Sequence, residues 1–102
     1  MRIVLIGTVV FSREMLTYLL SMRAQIVGVC TASSAAQNAD YADLQPVCDV
    51  HGIAMHRTDN INSEATMGWI SSQRPDVIFC FGWSRLIGKA LLALPPLGER
   101  TM

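Results

Sequence analysis

The sequence has no excess of charge of either sign. Eight Lys and Arg balance eight Asp and Glu, for a formal net charge of zero. A nucleic-acid footprint needs a basic surplus to neutralise phosphates, so nucleic acid is not expected as a partner of these residues. Long hydrophobic runs are also missing. Runs such as residues 3–6 and 77–81 fall far short of the roughly 20 residues that span a bilayer, so no membrane partner is expected. Met1-Arg2 leads straight into a strand-like run with no signal-peptide hydrophobic region, which points to the cytoplasm. There is no C-x-x-C pair, H-E-x-x-H or Walker pattern. The three cysteines, Cys30, Cys48 and Cys80, are widely spaced and read as buried thiols in a reducing compartment. His51 and His56 match no metal spacing, so no metal is expected.

The chain does have apolar residues, 51% of its 102, enough for one small domain with a core. Residues 1–6 form a β-branched first strand ended by Gly7, and a short turn leads to Ser12 as helix N-cap. The helix, 13–22, places Met15, Leu16, Leu19 and Leu20 on one face. Residues 25–31 form a second strand in which Gly28 implies a close neighbour. Residues 32–41 are small and polar and read as a loop. A helix over 43–51 turns Leu44, Val47, Cys48 and Val50 inward, with Pro46 in its first turn and Gly52 as its C-cap. A short strand, 53–56, precedes a polar connection, 57–61. A helix capped by Asn62 or Ser63 then runs to about residue 72, burying Met67, Trp69 and Ile70. Arg74-Pro75-Asp76 is a stop and turn before the strand Val77–Phe81, five apolar residues that suit burial on both faces. A last helix over 89–94 is stopped by Pro95-Pro96.

Strands of this kind alternating with helices imply an α/β fold: a Rossmann-like, doubly wound parallel sheet of four strands in the order 3-2-1-4. The first and fourth strands then lie side by side at the switch point. Their carboxyl ends, residues 7–12 and 82–87, flank one crevice, which is where ligands bind in open α/β sheets. A dinucleotide is not the expected ligand. G-x-G-x-x-G needs three glycines, and Val9 and Phe11 stand where bare backbone would be required. An anion at the helix N-terminus beside Thr8 and Ser12 remains open. The segment Trp83-Ser84-Arg85-Leu86-Ile87 combines an indole, a guanidinium and branched apolar groups. It suits a flat heteroaromatic ligand, or else packs under the last helix.

Several motifs agree in order along the chain. Met1-Arg2-Ile3-Val4-Leu5-Ile6-Gly7-Thr8, with Phe11-Ser12, resembles the opening of the folate-dependent formyltransferases, where a G-T/S-x-x-F-S/A turn follows the first strand. His51-Gly52-Ile53, Arg74-Pro75-Asp76-Val77-Ile78 and Leu94-Pro95-Pro96-Leu97-Gly98 are similar to further stretches of that family. The loop after Phe81 looks most like the branch that formylates amino sugars, and methionyl-tRNA formyltransferase is the alternative. A non-catalytic module holding a nucleotide or folate-like ligand is a third reading.

The resemblance implies 10-formyltetrahydrofolate as co-substrate, held against Trp83, Ser84, Arg85, Leu86 and Ile87. It places a small-molecule amine against Gly7, Thr8, Phe11 and Ser12. The amine attacks the formyl carbon, which calls for an oxyanion donor and a general base. The family supplies these from an N-x-H segment and a later Asp, and neither follows Gly98-Glu99-Arg100-Thr101-Met102 here. Residues 1–98 therefore read as the N-terminal part of a formyltransferase domain, truncated relative to the family and inactive alone, with 99–102 as a non-family tail. On that reading the far edge of Val77–Phe81 lacks a partner, which predicts a homo-oligomer formed through it.

Overall fold

The structure, a computed structural model, describes residues 1–33, 41–81 and 99–101. Its elements alternate along the chain: β1 (Ile3–Gly7), α1 (Val10–Ser21), β2 (Ile26–Ala32), α2 (Gln45–His51), β3 (Ala54–Thr58), α3 (Glu64–Ser72), β4 (Val77–Phe81) and β5 (Glu99–Thr101). The strands form one parallel sheet in the order β3-β2-β1-β4-β5. The four expected strands thus stand in the expected order. The expected last helix over 89–94 lies outside the described residues.

Every residue of β1 is buried, because β1 is central and both faces of the sheet are covered. On one face Ile3, Leu5, Val29, Val77 and Phe81 pack with Leu16 of α1 and with Leu44 and Cys48 at α2. Met15, Leu19 and Leu20 join them, so the apolar face expected for α1 is present. On the other face Val4, Ile6, Cys30, Ile78 and Cys80 meet Ile61 and Ile70, with Met67 and Trp69 of α3 against them. Alternate residues of each strand serve opposite clusters, so the strands read as unbroken apolar runs. Gly28 does mark a close approach, though by a side chain rather than a neighbouring backbone. A Cβ there would lie 2.8 Å from the Trp69 indole.

The sheet differs from expectation at its outer edge. The far side of β4 is paired within the chain: Ile78, Phe79 and Cys80 face Glu99, Arg100 and Thr101 of β5. The segment read as a tail is therefore a strand, and the open Val77–Phe81 edge that implied a homo-oligomer is covered over those three residues. Unpaired N–H and C=O groups along a strand favour any extended segment within reach, and residues 99–101 supply it.

Element boundaries also shift. Asp43 accepts from the Gln45 backbone N–H at 3.0 Å, so α2 begins at Gln45 rather than residue 43. Val50 is 80% exposed rather than inward-facing, because Leu44 and Cys48 occupy the buried side of this short helix. β3 extends through Arg57 and Thr58, which had read as connection. Ser63 caps α3, accepting from Thr66 N at 3.2 Å.

Helix ends follow the αL rule with unusual residues. Gly52 stops α2 at φ 64°, but Arg23 (φ 62°) and Arg74 (φ 54°) hold the equivalent conformation after α1 and α3. After α1, Arg23 N bonds Leu20 O and Ala24 N bonds Leu19 O, each at 3.0 Å, closing a Schellman motif. After α3 the next residue is Pro75, which has no N–H to complete one. Arg2 supplies donors instead, its Nη2 reaching Gln73 O at 2.6 Å and its Nε reaching Arg74 O at 3.1 Å. The αL geometry costs a residue with a Cβ about 1–2 kcal/mol, whereas glycine's extra unfolded freedom costs about 0.5–1 kcal/mol. Arg23→Gly is accordingly expected to stabilise the chain by about 0.5–1 kcal/mol, the difference between those terms. Urea unfolding followed by circular dichroism checks this, and an unchanged midpoint counts against it.

Candidate functional site at the carboxyl ends of strands 1 and 4

Parallel registry places Gly7 opposite Phe81, so β1 and β4 end side by side at the point where strand order reverses. The turn from Gly7 into α1 is fastened by Ser12. Ser12 is not the N-cap: α1 starts at Val10, and Ser12 lies in its first turn, fully buried. Its Oγ reaches back to accept from Thr8 N and Val9 N, each at 3.2 Å, and donates to the Phe81 carbonyl. Gly7 makes this possible. A Cβ on it would overlap the Ser12 side chain and sit 2.6 Å from the Phe81 oxygen.

The four residues of this turn expected to face substrate thus divide. Gly7 and Ser12 are committed to the architecture. Thr8 is only 6% exposed, its carbonyl accepts from Ala42 N at 3.1 Å, and its buried Oγ1 has no hydrogen-bond partner among the described residues. Phe11 is 46% exposed and meets Phe81 edge-on, with centroids 5.8 Å apart. Phe81, buried in the core, stacks in turn on Phe79 at 5.7 Å, so Phe11 is the exposed end of an aromatic row. Thr8 N and Val9 N, just ahead of the first helical residue Val10, are taken by the serine hydroxyl, so the anion left open here would have to use the helix's own first N–H groups. The other expected group, Trp83, Ser84, Arg85, Leu86 and Ile87, lies outside the described residues, beginning two positions after Phe81.

Residues that the sequence did not single out complete the rim. Val9 forms an antiparallel bridge with Tyr41. Ser33 N donates to Thr58 O at 3.2 Å, and its hydroxyl bonds Asp59, tying the ends of β2 and β3. Arg57 pairs with Asp43 at 2.9 Å. The Gln45 backbone N–H, and then Arg57, hold the Asp43 carboxyl below its usual range. A small polar run around 31–33 and 57–60 was the only sequence signal for this rim.

The histidines lie elsewhere. His51 Nδ1 is 3.1 Å from Val47 O on the exposed side of α2. His56 stacks on Trp69, centroids 5.1 Å apart, with Nε2 3.1 Å from Thr66 Oγ1. Thr66 donates its one hydroxyl proton to Thr58 and accepts from Ser63, so His56 must donate through Nε2. Burial raises the Cys30 thiol to about 12, with Cys80 adding to the effect, and raises Cys48 to about 11. Neither is a thiolate nucleophile at neutral pH. Among the described residues no three His, Cys, Asp or Glu side chains come together to hold a metal ion, and no helix is long and apolar enough to cross a membrane.

No protein-family model matches the chain. It is similar to curated proteins named methionyl-tRNA formyltransferase. The one from Thermotoga maritima is 29% identical over 102 residues, covering 96% of this chain and 33% of the relative. That from Thermotoga sp. strain RQ2 is 28% identical with the same coverage, and that from Trichlorobacter lovleyi is 27% identical over 101 residues, 95% of this chain and 32% of the relative. The chain therefore spans about a third of the length of these relatives.

Proposed function

Since the chain is related to the formyltransferases over nearly its whole length, we propose that it forms the donor-binding part of an enzyme that moves a formyl group from 10-formyltetrahydrofolate to an amino group. The observation that carries the reading is the registry of β1 with β4, which sets the Gly7–Ser12 turn beside the strand end leading into residues 83–87. Bound folate supplies the formyl group, already activated for transfer. This chain's part is to hold and orient it: Trp83, Ser84, Arg85, Leu86 and Ile87 take the pterin, while Thr8 and Phe11 face the amine. The described side of the crevice suits such a ligand. Phe11, 46% exposed and backed edge-on by the buried Phe81, offers apolar contact.

Transfer needs a group to stabilise the developing charge and a base for the amine proton. The 102 residues contain no N-x-H segment, and the histidines sit on α2 and β3, away from the β1–β4 crevice. On this reading the chain by itself binds donor without turning it over, as part of a cytoplasmic enzyme. The resemblance of the sequence Phe81-Gly82-Trp83-Ser84-Arg85-Leu86-Ile87 to the amino-sugar branch favours an amino sugar as acceptor. A second reading, methionyl-tRNA, is favoured by the names of the relatives.

Isothermal titration of the chain with a stable deaza analogue of 10-formyltetrahydrofolate tests the donor claim. Saturable binding that is lost in Arg85→Ala is the expected result, and no binding by the wild-type chain overturns it. Formyl transfer by this chain alone, to an amino-sugar nucleotide or to methionyl-tRNA, would contradict the division of labour.

A further inference from the structure

The Ser12 hydroxyl has no bonding capacity left for a ligand. A serine Oγ donates once and accepts twice. Here it accepts from Thr8 N and Val9 N and donates to Phe81 O, a residue 69 positions away. One end of this cross-link is the turn assigned to the amine. The other is the last residue of β4, from which the chain passes to residues 83–87. Gly7 leaves no slack between them, since even a methyl group would meet both Ser12 and the Phe81 carbonyl.

Building on the formyltransferase reading, we infer that Ser12 is a positioning residue. It touches neither donor nor acceptor, and it fixes the acceptor-side turn against the strand end that leads into the donor loop. Its hydroxyl also takes two N–H groups that a phosphate would otherwise claim at the mouth of α1. Of the residues expected to face substrate at this turn, it leaves Phe11, 46% exposed, as the side chain open to the acceptor.

The test compares donor affinity in the full 102-residue chain for wild type, Ser12→Ala, Ser12→Cys and Ile70→Val, using the deaza-folate analogue. Ile70 packs on the opposite face of the sheet and serves as the purely destabilising reference. Ser12→Ala is expected to weaken binding about tenfold, the equivalent of one good hydrogen-bonded restraint, while Ile70→Val stays within twofold of wild type. Should Ser12→Ala fail to fold, Ser12→Cys keeps the volume, gives up the strong acceptor, and is read the same way. Binding by the serine variants within twofold of wild type, or an equal loss in Ile70→Val, overturns the inference.

If the wild-type chain binds no analogue, the folate reading fails on its own, and the cross-link is judged by amide resonances in Ser12→Cys. Joint shifts at Thr8, Val9 and Phe81 support it, and shifts confined to residues 8–13 refute it. Inorganic phosphate titrated into the wild-type chain should leave the Thr8 and Val9 resonances in place. Saturable movement there would mean that phosphate displaces the serine hydroxyl and would overturn the cross-link.

Discussion

Gly7→Ala is expected to remove most of the chain's stability. The added Cβ would occupy the space of the Ser12 side chain and lie 2.6 Å from a backbone oxygen of β4, which cannot swing aside as the end of a flexible side chain can. Overpacking of this kind costs about 1–3 kcal/mol. Displacing Ser12 also forfeits three hydrogen bonds in a buried setting, each worth about 0.5–1.5 kcal/mol. A loss of roughly 2.5–7.5 kcal/mol is large against the 5–15 kcal/mol typical of a domain. Gly68→Ala is the natural control. Gly68 lies within α3 with nothing within 4 Å of an added Cβ, so alanine there should stabilise by about 0.5–1 kcal/mol through helix propensity. Urea unfolding of both variants by circular dichroism decides the matter. Gly7→Ala within 1 kcal/mol of wild type would mean that the turn relaxes without loss.

Thr66→Val should be the next most damaging of the substitutions considered. The side chain is fully buried, and its hydroxyl joins the start of α3 to the end of β3: it donates to Thr58 at 2.9 Å and accepts from Ser63 at 2.9 Å and from His56 at 3.1 Å. Valine keeps the shape but leaves the Ser63 and His56 donors without this acceptor and Thr58 without one of its donors. Thr58 keeps its bonds with Asn60, and Ser63 and His56 are only half-buried and can turn partly to water. The expected loss is about 1–3 kcal/mol. For a chain of this size that lowers the melting temperature by about 4–24 °C. A calorimetric melt within 2 °C of wild type, roughly the scatter expected of a neutral surface change, would show the network to be dispensable.

How far these features could be read in advance differs from residue to residue, for physical reasons. Val77–Phe81 is legible to the residue, because Pro75 and Gly82 bracket a run that only a doubly covered strand tolerates. Gly52 is legible as a helix stop because its αL conformation is glycine's own. Ser12 is half legible. A serine near a helix start announces hydrogen bonding to nearby N–H groups, but position alone does not separate the N-cap from a first-turn residue reaching backward. Its link to Phe81 is a tertiary contact with no local trace. β5 was missed because Glu99-Arg100-Thr101 carries neither alternation nor apolar content; pairing with β4 selects its conformation. Val50 misled because apolar identity was counted without its angle around a short helix. The Asp43–Arg57 pair joins residues 14 apart through a fold-dependent approach that no spacing rule foretells. At the candidate site the strand end at Gly7 was legible, but the turn read over residues 7–12 is shorter, because α1 already starts at Val10. The structure added which of these groups build the turn: Gly7 and Ser12.

The central place of β1 carries a consequence for synthesis. It leaves the ribosome before the other described strands, yet one of its two neighbours comes more than seventy residues later, where Arg2 N meets Asp76 at 2.7 Å across a separation of 74. During translation β1 can join β2, β3 and the helices of one face well before β4 exists. Its other edge then waits as an exposed apolar ribbon until residue 77 arrives. Closing that long interval is the slow, entropically costly step, and the nascent chain is most open to misassociation while it lasts.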